Sequence, residues 1–204
     1  MLKRSAALEN SLSSLFELET YNSTSRLRSS KIMCSVAFEH AESIKILIAS
    51  GNVTSSIGLL RLQYESMVRA MWLLYSASDL MVAKLMSELT QDSARKANKL
   101  PMLSEMIEKM DGKAPKEAVN MILEFKEYSW KPLSSFIHGG IHAIHRHSSG
   151  YPPEMLIQII KASNGLSMMV GMLLVVLSGD NSQKGKMTKI QKDYLDCCPE
   201  LKNN

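Results

Sequence analysis

Glycine and proline are scarce in this chain, at 10 and 6 of 204 residues. Both interrupt helices, glycine through its backbone freedom and proline through its missing N–H, so their scarcity leaves long stretches free to run helical. Aromatic residues make up only 6%, while Leu, Ala, Met, Glu, Lys and Ser dominate. That composition argues against a sheet-rich fold and for an all-α one. The three cysteines, Cys34, Cys197 and Cys198, are odd in number and two are adjacent. They form no disulfide framework and fit a reducing, cytoplasmic compartment. The opening MLKRSAALENSLSSL has no continuous apolar core, so no secretory signal is expected. No apolar run reaches the ~20 residues of a membrane span. The longest, SMMVGMLLVVL over 167–177, meets Asn164, Lys161 and Gln158 upstream. It reads as a buried core helix, and no membrane partner is expected.

What is present suits a folded domain: 45% hydrophobic and 22% charged residues, with a net charge of +4. So small a basic excess permits a phosphate-bearing partner without demanding one. Helical periodicity predicts helices over residues 4–19, 30–50, 53–77 and 79–98, the last with Asp79 as N-cap. A shorter piece follows Pro101 and ends near Asp111–Gly112. Another starts at Pro115 and runs through Tyr128. Pro132 suits the first turn of a helix carrying four of the five histidines. The last core helix spans 154–178 and stops before Gly179. The expected architecture is an antiparallel bundle of about four long helices plus accessory ones, filling a single domain over 1–180. Residues 181–204 read as a linker and a short, loosely docked tail.

Two segments carry candidate chemistry. In SSIGLLRLQYESMVRAMWLLYSAS, residues 55–78, Arg61, Glu65 and Arg69 recur at i, i+4 and i+8. They form a narrow charged stripe on a helix that is otherwise apolar all round. One reading is a partly exposed ladder of ion pairs. The other is a cleft wall, in which Glu65 orients one guanidinium and leaves the second to meet an anion.

The second segment is SSFIHGGIHAIHRHSSGYPP, residues 134–153. On a straight helix turning about 100° per residue, His142 and His145 fall within roughly 40° of His138, with Ser134 and Lys131 on the same face. Trp130, Leu133, Ile137, Ile141 and Ile144 form the adjacent apolar stripe, and His147 points elsewhere. Three readings stay open. His138 and His142 are spaced to share a metal, although the i+7 position of His145 lies about 10 Å beyond His138. The histidines are hydrogen-bonded interface residues, with His145 and His147 favourable at a helix C-terminus. Or imidazole performs acid–base work at neutral pH, with Arg61, Arg69, Lys131 or Arg146 stabilising a phosphorane. Gly139–Gly140 costs about 2 kcal/mol inside a helix relative to alanine, which implies close backbone approach there. No cofactor is expected.

The pairing of LLRLQYESMVRAMWLLYSAS with YSWKPLSSFIHGGIHAIHRH resembles outlying members of the HEPN superfamily (higher eukaryotes and prokaryotes nucleotide-binding), over roughly residues 30–178. The resemblance implies a four-helix bundle, a homodimer, and metal-independent RNA cleavage in toxin–antitoxin or phage-defence systems. It casts His138 as general acid/base, with His142 assisting. Arg69 and Arg61, oriented by Glu65, would bind phosphate, and Ser134, Lys131, His145 and Arg146 would line the substrate. The family signature is Arg, four to six residues, then His. Here Lys131 stands seven residues before His138, a point charge in place of a fork. Members with an incomplete signature imply the alternative, a non-catalytic module that binds a nucleotide, or a partner such as an antitoxin protein.

Overall fold

The computed structural model describes residues 1–97 and 99–200. Among them it has ten α-helices, a short 3-10 turn and no strand. The helices are α1 (Leu2–Ser13), α2 (Ser25–Ala49), α3 (Val53–Tyr75), α4 (Asp79–Leu85), α5 (Gln91–Ala97), α6 (Leu103–Met110), α7 (Lys116–Ile137), α8 (Ile141–Ser149), α9 (Pro153–Ser178) and α10 (Gln183–Asp193), with the turn at Leu195–Cys197. The all-α bundle expected from composition is what forms.

The centre is α3. It runs antiparallel to α2, which a three-residue turn ending at Asn52 makes possible. The Ser30 hydroxyl of α2 donates to the Ala70 carbonyl of α3 at 2.8 Å. Arg26 donates to the carbonyls of Leu73 and Ala77, both at 2.7 Å, completing acceptors that the end of α3 leaves open. The apolar helix α9 crosses both. Gln63 of α3 donates to the Ser163 carbonyl of α9 at 2.9 Å, and Lys45 of α2 to the Ser163 hydroxyl at 3.0 Å. Helix α9 is the one described helix long and apolar enough to cross a membrane, and 72% of its most apolar window is buried in the bundle. On the other flank α7 packs on α3, where Tyr64 donates to the Ile122 carbonyl at 3.0 Å and stacks on Phe125 with ring centroids 4.6 Å apart. Cys34 is fully buried on α2. Burial pushes its thiol up to about 12, so it stays a protonated core group at neutral pH.

Several boundaries differ from the periodic reading. Helix α1 ends at Ser13, although Leu15 remains fully buried in the turn that follows. Helix α2 begins earlier than expected, at Ser25, straight after an extended Thr24. The predicted 79–98 helix is two short helices, α4 and α5; residue 98 lies outside the described residues. The cap of α4 is Ser78, whose hydroxyl accepts from the Met81 N–H at 3.3 Å, and Asp79 is the first helical residue. The break has a local cause. Thr90 and Ser93 exchange backbone-to-side-chain bonds at 2.8 and 3.1 Å, and Ser93 also donates to the Glu88 carbonyl at 2.6 Å. These side chains satisfy the groups that a continuous helix would have used.

The C-terminal segment is not loose. Met187, Ile190 and Cys197 are buried, and Asn164 of α9 donates to the Cys197 carbonyl at 2.7 Å. Arg4 pairs with Asp196 at 3.1 Å and stacks over Tyr194, so α1 and the tail close on each other. The last four residues of the predicted tail, 201–204, lie outside the described residues.

Candidate functional site

The charged stripe on α3 is an ion ladder. Arg61 Nε meets Glu65 Oε1 at 2.9 Å, and Arg69 Nη2 meets Glu65 Oε2 at 3.6 Å. The two arginines differ in everything else. Arg61 donates Nη1 to the Ser134 hydroxyl of α7 at 2.8 Å, and its guanidinium lies 4.0 Å from the Trp130 ring centroid. Ser134 in turn donates to the Trp130 carbonyl at 2.7 Å. Carboxylate, hydroxyl and indole thus clamp Arg61, and the clamp joins α3 to α7. Among the described residues, Arg69 has only the longer contact, and 39% of its side chain is exposed.

At the end of α3, three side-chain polar atoms have no partner among the described residues. Arg69 Nε, Trp72 Nε1 and Ser76 Oγ are all buried without a protein hydrogen bond. Arg69 and Trp72, three residues apart, lie within roughly 60° on the helix surface, and Ser76 is the C-cap that follows the helix. A buried donor left unmade costs about 1–3 kcal/mol, so the end of α3 carries destabilised polar groups.

The histidine helix is two helices. Helix α7 runs through Pro132 and stops at Ile137, with His138 as its C-cap. Gly139 takes φ 63°, and the Gly140 N–H returns to the Ser135 carbonyl at 2.7 Å. That is a Schellman closure, in which glycine supplies the left-handed residue. Helix α8 then opens from Gly140, and its His142 N–H donates to Ser135 Oγ at 3.1 Å. The glycines are therefore cap residues, and the close backbone approach inferred for a helix interior is replaced by a turn. Pro132 lies in the second half of α7 instead of opening a helix. The shared face computed for a continuous helix does not form.

His138, His142, His145 and His147 are all exposed, as is Lys131. Among the described residues, His138 has no side-chain hydrogen bond or ion pair, and no three metal-ligating side chains come together. The ring of His142 lies 6.2 Å from that of Phe136. Arg146 is half-buried. The structure joins Arg61, Glu65 and Ser134, and links Arg69 to them through Glu65. It does not bring His138 or His142 to Arg69. Arg61 marks the level at which Ser134 docks, and Arg69 lies about 12 Å further along α3, while His138 follows Ser134 by one turn in the opposite direction.

Three features were missed at the sequence level. His147, although exposed, approaches Thr54 Oγ1 at 3.4 Å, and that hydroxyl also meets the Tyr151 hydroxyl at 2.5 Å. The clamp uses Trp130, whose position four residues before Ser134 was legible but whose pairing across to α3 was not. Lys45 and Glu9, far apart in sequence, form a buried ion pair at 2.8 Å. Burial holds the Lys45 ammonium below the usual lysine range, with Glu9 opposing. A broad depression of about 840 Å³ beside Phe16, Arg28 and Lys31 involves none of the residues predicted for the site.

Fold and site define an all-α bundle protein with an ion ladder on its central helix and unpartnered polar groups at that helix's end. The chain belongs to DUF6988, a family of unknown function, whose model matches residues 34–200. No curated protein and no solved structure matches the chain.

Proposed function

We propose that the protein is a non-catalytic binding module that holds a phosphate group of a nucleotide or RNA against the C-terminal half of α3. The observation that carries this reading is the set of three buried, unpartnered polar atoms at the end of α3, Arg69 Nε, Trp72 Nε1 and Ser76 Oγ, on a stretch where the Arg69 side chain is itself partly exposed. An oxyanion brings several acceptor oxygens, and charge-assisted bonds to them are the strong ones. Glu65 holds Arg69 from one side, and among the described residues the Nε of its fork has no partner. This keeps the nucleotide-binding role that the HEPN resemblance implies and separates it from cleavage. General acid–base catalysis needs an imidazole within about 3 Å of the proton it moves, in the same site as the phosphate-binding cations. The separation between Arg69 and His138 supports binding instead.

Calorimetric titration with ATP and with a short oligouridine tests the proposal. Wild-type protein is expected to bind at least one of them, and Arg69→Ala to weaken that binding tenfold or more with unchanged helical circular dichroism. If neither phosphate ligand binds, the reading is wrong. If wild-type protein cleaves the RNA and His138→Ala does not, the endoribonuclease reading replaces it.

A further inference from the structure

The corner where α7 gives way to α8 exposes aliphatic side chains that the bundle could have buried. Ile141 is 75% exposed, Ile144 67% and Ile137 40%. Helix α8 packs mainly on α7 and buries only Ala143. Ile141 and Ile144, three residues apart, share one face of α8, and Ile137 is the last residue of α7 before the turn. Clusters of this kind on a folded surface mark interaction sites.

The charge along the chain through the corner is one-sided. Residues 128–153 contain no Asp or Glu, but include Lys131, Arg146 and four histidines. The nearest carboxylates in sequence are Glu127 and Glu154; Glu65, on α3, is committed to Arg61 and Arg69. The corner is also held in place. The Gly140 N–H to Ser135 carbonyl and His142 N–H to Ser135 Oγ bonds fix the start of α8, at 2.7 and 3.1 Å. At its end, Tyr151 and His147 meet Thr54 of α3. A preorganised surface gives up little entropy on docking.

We propose that the α7–α8 corner docks an amphipathic helix of a partner protein whose apolar stripe is flanked by carboxylates. The isoleucines supply the apolar contact, and Lys131 and Arg146 select for acid on the partner. Nucleic acid is the rival, since the exposed histidines offer rings for stacking; the exposed isoleucines, which bases do not use, favour a protein helix. A second copy of the chain would oppose like charges across the contact. Two isoleucines on a nine-residue helix give a lipid surface little to hold. The proposal goes beyond phosphate binding at Arg69 and uses none of its residues.

The test uses fluorescence anisotropy with a labelled synthetic helical peptide carrying leucine on one stripe and glutamate beside it. A peptide with lysine in place of each glutamate is the control. The full-length protein is expected to bind the acidic peptide and not the basic one. Ile141→Ser/Ile144→Ser should lose at least tenfold in affinity with its melting temperature unchanged, since both side chains are exposed. Lys131→Glu/Arg146→Glu should reverse the preference between the two peptides. Arg69→Ala should bind the acidic peptide like wild type, which separates this outcome from that of the phosphate titration. The proposal is overturned if the acidic peptide fails to bind, or if the isoleucine variant binds it equally well. It also falls if phosphatidylserine vesicles or oligouridine compete at that corner in place of the peptide, or if sedimentation finds a dimer that the isoleucine variant loses.

Discussion

Arg61 shows how a residue that looks free in sequence is consumed by the fold. Its charge is balanced by Glu65, its fork reaches Ser134, and its flat face covers Trp130. The last two partners sit on another helix, so Arg61 fastens α7 to α3. The side chains of Arg61 and Glu65 are only 14% and 17% exposed, which takes this pair out of the class of weak surface ion pairs. Arg61→Ala leaves Glu65 with only the longer Arg69 contact and strips a donor from Ser134. It is expected to lower unfolding stability by about 2 kcal/mol, read as a shift in urea midpoint. Arg61→Lys keeps the charge but loses the fork and the stacking, and should recover less than half of that. An unchanged midpoint in the alanine variant would show that the clamp carries no stability. Arg69, with fewer partners, should tolerate alanine better. That difference distinguishes a fastening arginine from one available to a ligand.

At the level of elements, long apolar periodicity was legible and terminators were misread. Helices α3 and α9 end close to where the periodicity places them, because more than five turns of apolar spacing leave little choice. The Gly139–Gly140 pair was assigned to a helix interior because the pattern of Ile137, Ile141 and Ile144 continues across it. A Schellman closure followed at once by a new helix preserves such spacing, so periodicity alone cannot separate the two cases. Left-handed glycine was the available signal. The same holds at Thr90 and Ser93, where short polar side chains compete with helix continuation. Of the candidate site, the Arg61–Glu65–Arg69 ladder was legible because its spacing lies within one helix. Its link to Ser134 and the separation of His138 from Arg69 depend on how two helices dock, which spacing does not encode. The turn carries its own prediction. A Cβ on Gly140 would sit 2.5 Å from Ser135 Oγ, and that oxygen already accepts the His142 N–H. Gly140→Ala must displace Ser135 and release the first turn of α8, at a cost of about 1–3 kcal/mol. Adding Ser135→Ala removes the closest of these contacts and leaves the Cα and Cβ of residue 135 at 3.3 Å, so the double variant should be less destabilised than the sum of the two singles. Strict additivity in thermal unfolding would contradict this account of the corner.

Across the whole molecule, helices far apart in sequence are joined through a buried polar core. Glu9 on α1 pairs with Lys45 on α2 at 2.8 Å, and their side chains are 12% and 8% exposed. Lys45 also donates to Ser163 of α9, a residue whose carbonyl takes Gln63 of α3. Four helices therefore converge on one ion pair and its neighbours. Burial outweighs Glu9 in setting the Lys45 pKa, which falls below the ordinary 10.5. The folded protein thus releases this proton more readily than the unfolded chain does. The resulting penalty is fully present below the folded pKa and shrinks as pH rises toward 10.5. At neutral pH, then, the charge is less well solvated inside the protein than in water. The pair orients α1 against α2 more than it stabilises the bundle. Removing one partner and removing both should accordingly have opposite consequences. Lys45→Met strands the Glu9 carboxylate in an apolar interior and should cost about 3–5 kcal/mol. Lys45→Met combined with Glu9→Leu leaves no buried charge and should restore wild-type stability or exceed it by about 1 kcal/mol. Urea unfolding at pH 7 decides between these outcomes. If the double variant is as unstable as the single, the ion pair is a net source of stability and the sign inferred from Lys45 is wrong.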